Sequence, residues 1–112
     1  MIDLDVTVKG EGAERVIHLE GMCDLASAPK LKEVLTELRP PAVMSIVIDV
    51  SGLEFVDSTG LGLMLGALRR LREAGGTLKL AGAQGTVLRV LEVTDLDKVI
   101  PLFPDVETAR SR

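Results

Sequence analysis

The sequence predicts an α/β domain: a mixed sheet of four to five strands, opening with an antiparallel hairpin, continuing through parallel crossovers, and packed against about four helices. Three observations predict it. Two N-terminal segments alternate apolar and polar residues on either side of a glycine turn, as half-buried hairpin strands do. The continuous apolar run SIVIDV, residues 45–50, has the character of a central strand. Helix-period segments separate the later strand-like runs, and strands joined by helical crossovers run parallel with right-handed connections. A length of 112 residues fits one domain over 1–112. A chain of that size buries roughly two-thirds of its unfolded surface.

Each element follows from its own pattern. In LDVTV, Leu4, Val6 and Val8 share one face, with Asp5 and Thr7 on the other. KGEGAE supplies the reversal. In RVIHLE, Ile17 and Leu19 point inward, while Val16, His18 and Glu20 point to solvent. The period then becomes helical over CDLASAPKLKEVLTELRP, residues 23–40, with Leu31, Val34, Leu35 and Leu38 as the apolar stripe. Pro29 suits the first turn of that helix, where its missing N–H costs little, and Pro40 and Pro41 end it. LGLMLGALRRLREAGG is helical again, with Leu61, Met64 or Leu65, Leu68 and Leu71 inward. Gly75 and Gly76 stop it. TLKLA reads as a strand, GTVLRVLEVTDL as a short amphipathic helix, KVIPLF as an edge strand and DVETAR as a last helical turn or two.

Composition narrows the function. Two Phe, no Trp and no Tyr leave the core to Leu, Val, Ile and Ala. They also leave no platform for stacking single-stranded nucleic acid. A net charge of −4 without a basic run offers nothing to a polyanion. One cysteine, Cys23, and one histidine, His18, are too few for a disulfide framework or a Cys/His metal site. Cys23 reads as a small core residue and His18 as solvated. No apolar run nears the roughly 20 residues of a membrane span, and the N-terminus lacks the pattern of a signal peptide. The expectation is a cytoplasmic monomer with no cofactor, binding neither nucleic acid nor membrane.

The chemistry concentrates in FVDSTGLG, where the apolar strand gives way to a helix. Asp57, Ser58 and Thr59 all have side chains that cap helices, and Thr59 or Ser58 fits the cap position. Capping needs one such residue, however, and Gly60 and Gly62 each cost about 1 kcal/mol relative to alanine in a helix. Their bare backbone would permit another molecule to approach. The turn also follows the C-terminal end of a central strand, where open α/β sheets place their sites. Catalysis by Ser58 lacks a base, since the one histidine faces away on an early strand. GxSxG, the P-loop pattern GxxxxGK[ST] and GxGxxG are all absent. A regulatory hydroxyl needs less machinery: a phosphoryl group on Ser58 adds roughly −1.5 to −2 charges at a helix N-terminus that tolerates them.

The segment VIDVSGLEFVDSTGLGLMLGALRRLREAGGTLKLAG, with VLRVLEVTDLDKVIPLFPDVETA after it, resembles the STAS domain of bacterial anti-sigma factor antagonists. The likeness covers nearly the whole chain and is most specific at Asp57-Ser58-Thr59-Gly60-Leu61-Gly62. It implies that Ser58 is the phosphoacceptor. The unphosphorylated form then binds an anti-sigma factor that is also a serine kinase and releases the sigma factor. The kinase's phosphorylation of Ser58 ends the interaction, and a metal-dependent serine phosphatase resets it. ATP and Mg²⁺ belong to the kinase. Asp24 corresponds to an aspartate near the family's partner surface, whereas Met22 and Cys23 replace its frequent Glu-Leu. Expected partner contacts are therefore Asp24, Asp57, Ser58, Thr59, Gly60, Leu61 and Gly62. The alternative within the same resemblance is a structural subunit of a stressosome or a phospholipid-transport complex.

Overall fold

The computed structural model describes residues 3–112. In chain order its elements are β1 (Leu4–Lys9), β2 (Glu14–Cys23), α1 (Ala28–Glu37), β3 (Ser45–Val56), α2 (Ser58–Glu73), β4 (Thr77–Ala81), α3 (Gly85–Val93), β5 (Leu102–Phe103) and α4 (Val106–Arg110). A 3-10 turn at Leu96–Lys98 separates α3 from β5. The five strands form one sheet in the order β1-β2-β3-β4-β5. β1 and β2 are antiparallel, and every later neighbour is parallel. The mixed sheet, opening hairpin and four helices agree with the α/β class read from the sequence.

A sheet that grows steadily in one direction through right-handed crossovers places its successive helices on one face. The packing follows that rule. Leu31 and Leu35 of α1, Leu61, Met64, Leu68 and Leu71 of α2, and Val87 and Leu91 of α3 share one core with alternate strand residues. The strand residues are Ile17, Leu19, Ile46, Ile48, Val50, Leu78 and Leu80. Truncating one such buried leucine or isoleucine to alanine costs about 2–5 kcal/mol. The other face is covered at one end by α4, where Ala109 packs on Val47 and Ala81 beside Val16, Phe103 and Val106. Lys79 fastens α4 there: its Nζ donates to the Ala109 carbonyl at 2.9 Å and lies 5.4 Å from the Phe103 ring centre.

The elements differ from the sequence reading mainly at their ends. β2 continues through Cys23, so α1 begins at Ala28, with Pro29 in its first turn as expected. β3 runs on past Val50 through Ser51 and Gly52 to Val56. The β2–β3 register shifts after His18 and again after Gly21, and these irregularities let the strand continue through a sequence that looks like a break. At the far end of α2, Gly75 takes φ +85°, and the Gly76 amide donates to the Leu71 carbonyl at 2.7 Å. Gly76 has no room for a Cβ against the Met44 carbonyl, which explains the paired glycines.

His18 is not simply solvated. Register places it opposite Asp49, and its Nδ1 lies 2.8 Å from Asp49 Oδ2 on the sheet face that carries α4. Burial pushes the Asp49 carboxyl up, but hydrogen bonds from Ser51 and then His18 outweigh it and hold the group below its ordinary value.

Candidate functional site

The site is built where β2 ends and α2 begins. The Asp57 amide donates to the Cys23 carbonyl at 3.1 Å, which ties the start of the helix to the neighbouring strand. Asp57 itself has extended backbone (φ −107°, ψ −174°), and this turns its side chain over the open end of α2. Oδ1 accepts from the amides of Thr59 at 2.9 Å and Gly60 at 3.3 Å. The cap is therefore Asp57, and not Ser58 or Thr59, which already lie inside the helix. The reassignment leaves the Ser58 side chain free of the cap, in the first helical position and exposed.

The second oxygen of Asp57 has a separate task. Oδ2 accepts from the Leu25 amide at 3.1 Å, so one carboxylate holds both the helix start and the β2–α1 turn. That turn has hydrogen bonds of its own. Asp24 Oδ1 accepts from the Ser27 amide at 3.0 Å, and the Asp24 carbonyl accepts from the Ala28 amide at 2.8 Å. Ser27, only 5% exposed, donates its hydroxyl to the Met22 carbonyl at 2.6 Å and accepts from the Asp24 amide at 3.0 Å. Asp24 is thus the organiser of a turn ahead of α1. Neither Leu25 nor Ser27 stood out in the sequence, although the three-residue spacing from Asp24 to Ser27 is that of a side-chain cap.

Gly60 and Gly62 turn out to be unlike. A Cβ on Gly60 would lie 2.7 Å from Cys23 Sγ and 2.8 Å from Val56 Cγ2, so its bare backbone serves packing inside the molecule. Gly62 is exposed and has nothing within 4 Å of a Cβ position, so it remains open to an outside molecule. Leu61, at 7% exposure, belongs to the core, which corrects its reading as an interface residue. Cys23 is fully buried beneath Gly60, as expected of a core residue. Burial, followed by the nearby charges of Asp57 and Asp24, pushes its thiol up to about 11.

The exposed surface at this end therefore includes Ser58, Gly62, Leu25 and Ala26, with Asp24, Asp57 and Thr59 partly covered. A cavity of about 510 Å³ lies on the other face, between the β1–β2 turn and α4, with His18, Val16 and Arg110 in its wall. It sits at the opposite end of β3 from Ser58. Among the described residues, no three His, Cys, Asp or Glu side chains are grouped to hold a metal ion, and no helix is long and apolar enough to cross a membrane.

A mixed sheet with α1, α2 and α3 on one face and an acid-capped, hydroxyl-bearing helix start at the end of its central strand defines a recognisable class. The STAS domain family matches residues 5–109, and the chain belongs to that family. Among curated relatives, an anti-sigma-B factor antagonist of Listeria monocytogenes is 29% identical over 102 residues, covering 90% of each chain. One of Staphylococcus aureus is 32% identical over 80 residues, covering 71% of this chain and 74% of its own. Among solved structures, an anti-sigma factor antagonist from Mycobacterium paratuberculosis superposes with a TM-score of 0.87 at 25% identity, over 97% of this chain and 92% of that one. The unphosphorylated form of the anti-sigma factor antagonist SpoIIAA gives 0.82 at 26% identity, over 96% and 95%.

Proposed function

We propose that this chain is an anti-sigma factor antagonist acting in the cytoplasm as a monomeric binding module, with no catalysis of its own. Its unphosphorylated form binds an anti-sigma factor that is also a serine kinase, and the sigma factor is released. The observation that carries the reading is the exposed Ser58 hydroxyl at the first position of α2, next to a carboxylate that already caps the helix. The names of its relatives agree with this role.

In the transfer step, Ser58 Oγ attacks the γ-phosphorus of the kinase's ATP, ADP leaves, and the serine proton passes to a base of the kinase. The helix N-terminus accommodates the new charge, so the fold persists. Asp57 beside it brings the local charge to about −3. A kinase surface still holding ADP then faces its product across two sets of like charges, and the complex separates. Asp24, Asp57, Ser58, Thr59 and Gly62 form the contact surface, while buried Gly60 and Leu61 hold it in place from beneath. A serine phosphatase restores the hydroxyl.

Intact mass after incubation with the kinase and ATP tests the assignment. One phosphoryl group is expected on the wild type and none on Ser58→Ala. Labelling that persists in Ser58→Ala sinks the site. Tight kinase binding by Ser58→Asp would count against a charge switch.

A further inference from the structure

Leu25 is 74% exposed, an unusual position for a leucine on a segment this firmly held. Single exposed apolar residues are ordinary on loops. This one differs in two respects. Its amide is held by the Asp57 carboxylate, and the residues that flank it, Asp24 and Ser27, are bonded to each other across the turn. Its lock is also the same carboxylate that caps the helix of Ser58. A turn whose backbone is already tied in place loses less conformational freedom on binding, which suits the leucine it carries to act as an anchor.

We propose that Leu25 is a specificity-determining anchor for the kinase that phosphorylates Ser58, entering an apolar pocket on it, and that Asp57 is the positioning residue that holds the anchor in register with the hydroxyl. The proposal rests on the phosphoacceptor reading of Ser58. One carboxylate joins the β2–α1 turn to the start of the helix that carries Ser58, so the turn and the hydroxyl adjoin. The acidic flanks, Asp24 and Asp57, are engaged by backbone amides, so Leu25 is the large apolar side chain this turn exposes, beside the small Ala26. Full burial of a leucine side chain corresponds to roughly a 10- to 100-fold change in affinity.

The test uses the full chain and a kinase purified as the activity that labels wild-type Ser58 from ATP and leaves Ser58→Ala unlabelled. Leu25→Ala is expected to raise KM for phosphorylation about tenfold or more with kcat little changed, the pattern of lost binding. Its thermal midpoint should stay with the wild type, because the side chain packs on little else. Asp57→Asn keeps a capping oxygen for Thr59 and Gly60 but turns an NH₂ toward the Leu25 amide. It should raise KM as well. Hydrogen exchange of the free chain reads the tie without any kinase: the Leu25 amide is expected to be protected in the wild type and to exchange faster in Asp57→Asn, with Gly60 still protected. A Leu25→Ala KM within twofold of wild type, on a protein still labelled at Ser58, overturns the anchor. A Leu25 amide that exchanges equally in both proteins overturns the tie. Label that never reaches Ser58 removes the phosphoacceptor reading first, and the anchor with it.

Discussion

Replacing Gly60 and Gly62 with alanine, one at a time, should stabilise the fold at Gly62 and fail to do so at Gly60. Both glycines lie in the first turns of α2, and alanine is favoured over glycine in a helix by about 1 kcal/mol. At Gly62 nothing lies within 4 Å of the new Cβ, so Gly62→Ala should stabilise the fold by up to about 1 kcal/mol. At Gly60 the methyl would arrive 2.7 Å from Cys23 Sγ and 2.8 Å from Val56 Cγ2. Neither neighbour yields easily: cysteine is short, and valine is stiff at χ1. Overpacking of this kind costs about 1–3 kcal/mol. Set against the helical gain, Gly60→Ala should be neutral to about 2 kcal/mol less stable. Urea unfolding followed by circular dichroism reads both, and each kcal/mol should appear as about 4 °C in thermal midpoint. Adding Cys23→Ala should recover part of the Gly60→Ala loss, because it removes the nearer clash. If Gly60→Ala matches or exceeds Gly62→Ala in stability, the assignment of Gly60 to internal packing is wrong.

Acid unfolding should report Asp49. Its carboxyl lies below the ordinary value in the folded state, so its contribution is present above the unfolded carboxylate range and is lost as pH falls through the lowered folded value. Asp49→Asn should flatten the acid limb of the stability curve, and an unchanged limb would remove that role. Cys23, with its thiol pushed up to about 11 and no exposed surface, should resist alkylation at neutral pH until the domain opens. Labelling in urea should therefore follow the unfolding transition, and rapid stoichiometric labelling of the native protein would contradict the packing. Lys79→Met should loosen α4, seen as faster amide exchange at Ala109 with the β3 amides unaffected; equal exchange would show that the Nζ contact to the Ala109 carbonyl is dispensable.

The two strand periods, the α2 stripe and the order of elements were legible in the sequence because each depends on residues close together in the chain. What was not legible depends on pairing. The apolar run read as a strand stops at residue 50, yet β3 continues through Ser51 and Gly52 to Val56, where the β2 register shifts alongside. His18 read as solvated because its partner, Asp49, lies in another strand and is found only through register. The capping residue was obscured differently. Asp57, Ser58 and Thr59 have equal chemical competence, and the extended backbone at Asp57 decides among them. Gly60 and Gly62 look alike on paper, and only the position of Cys23 distinguishes them. The exposure of Ser58 at the first position of α2 was within reach of the sequence, since an acid precedes it and the apolar period starts after it. The two oxygens of Asp57, serving different segments, were not.

The strand order β1-β2-β3-β4-β5 has a consequence for how the molecule is made. Position across the sheet equals position along the chain, so at every length of a nascent polypeptide the newest strand is the growing edge. Each arriving strand finds its neighbour already complete and never inserts between two others. Asp57 and the β2–α1 turn that it clasps both precede α2 in the chain, so that contact uses no residue made later. α4, which follows the five strands in the chain, packs on residues of β2 to β5 and covers one end of their other face.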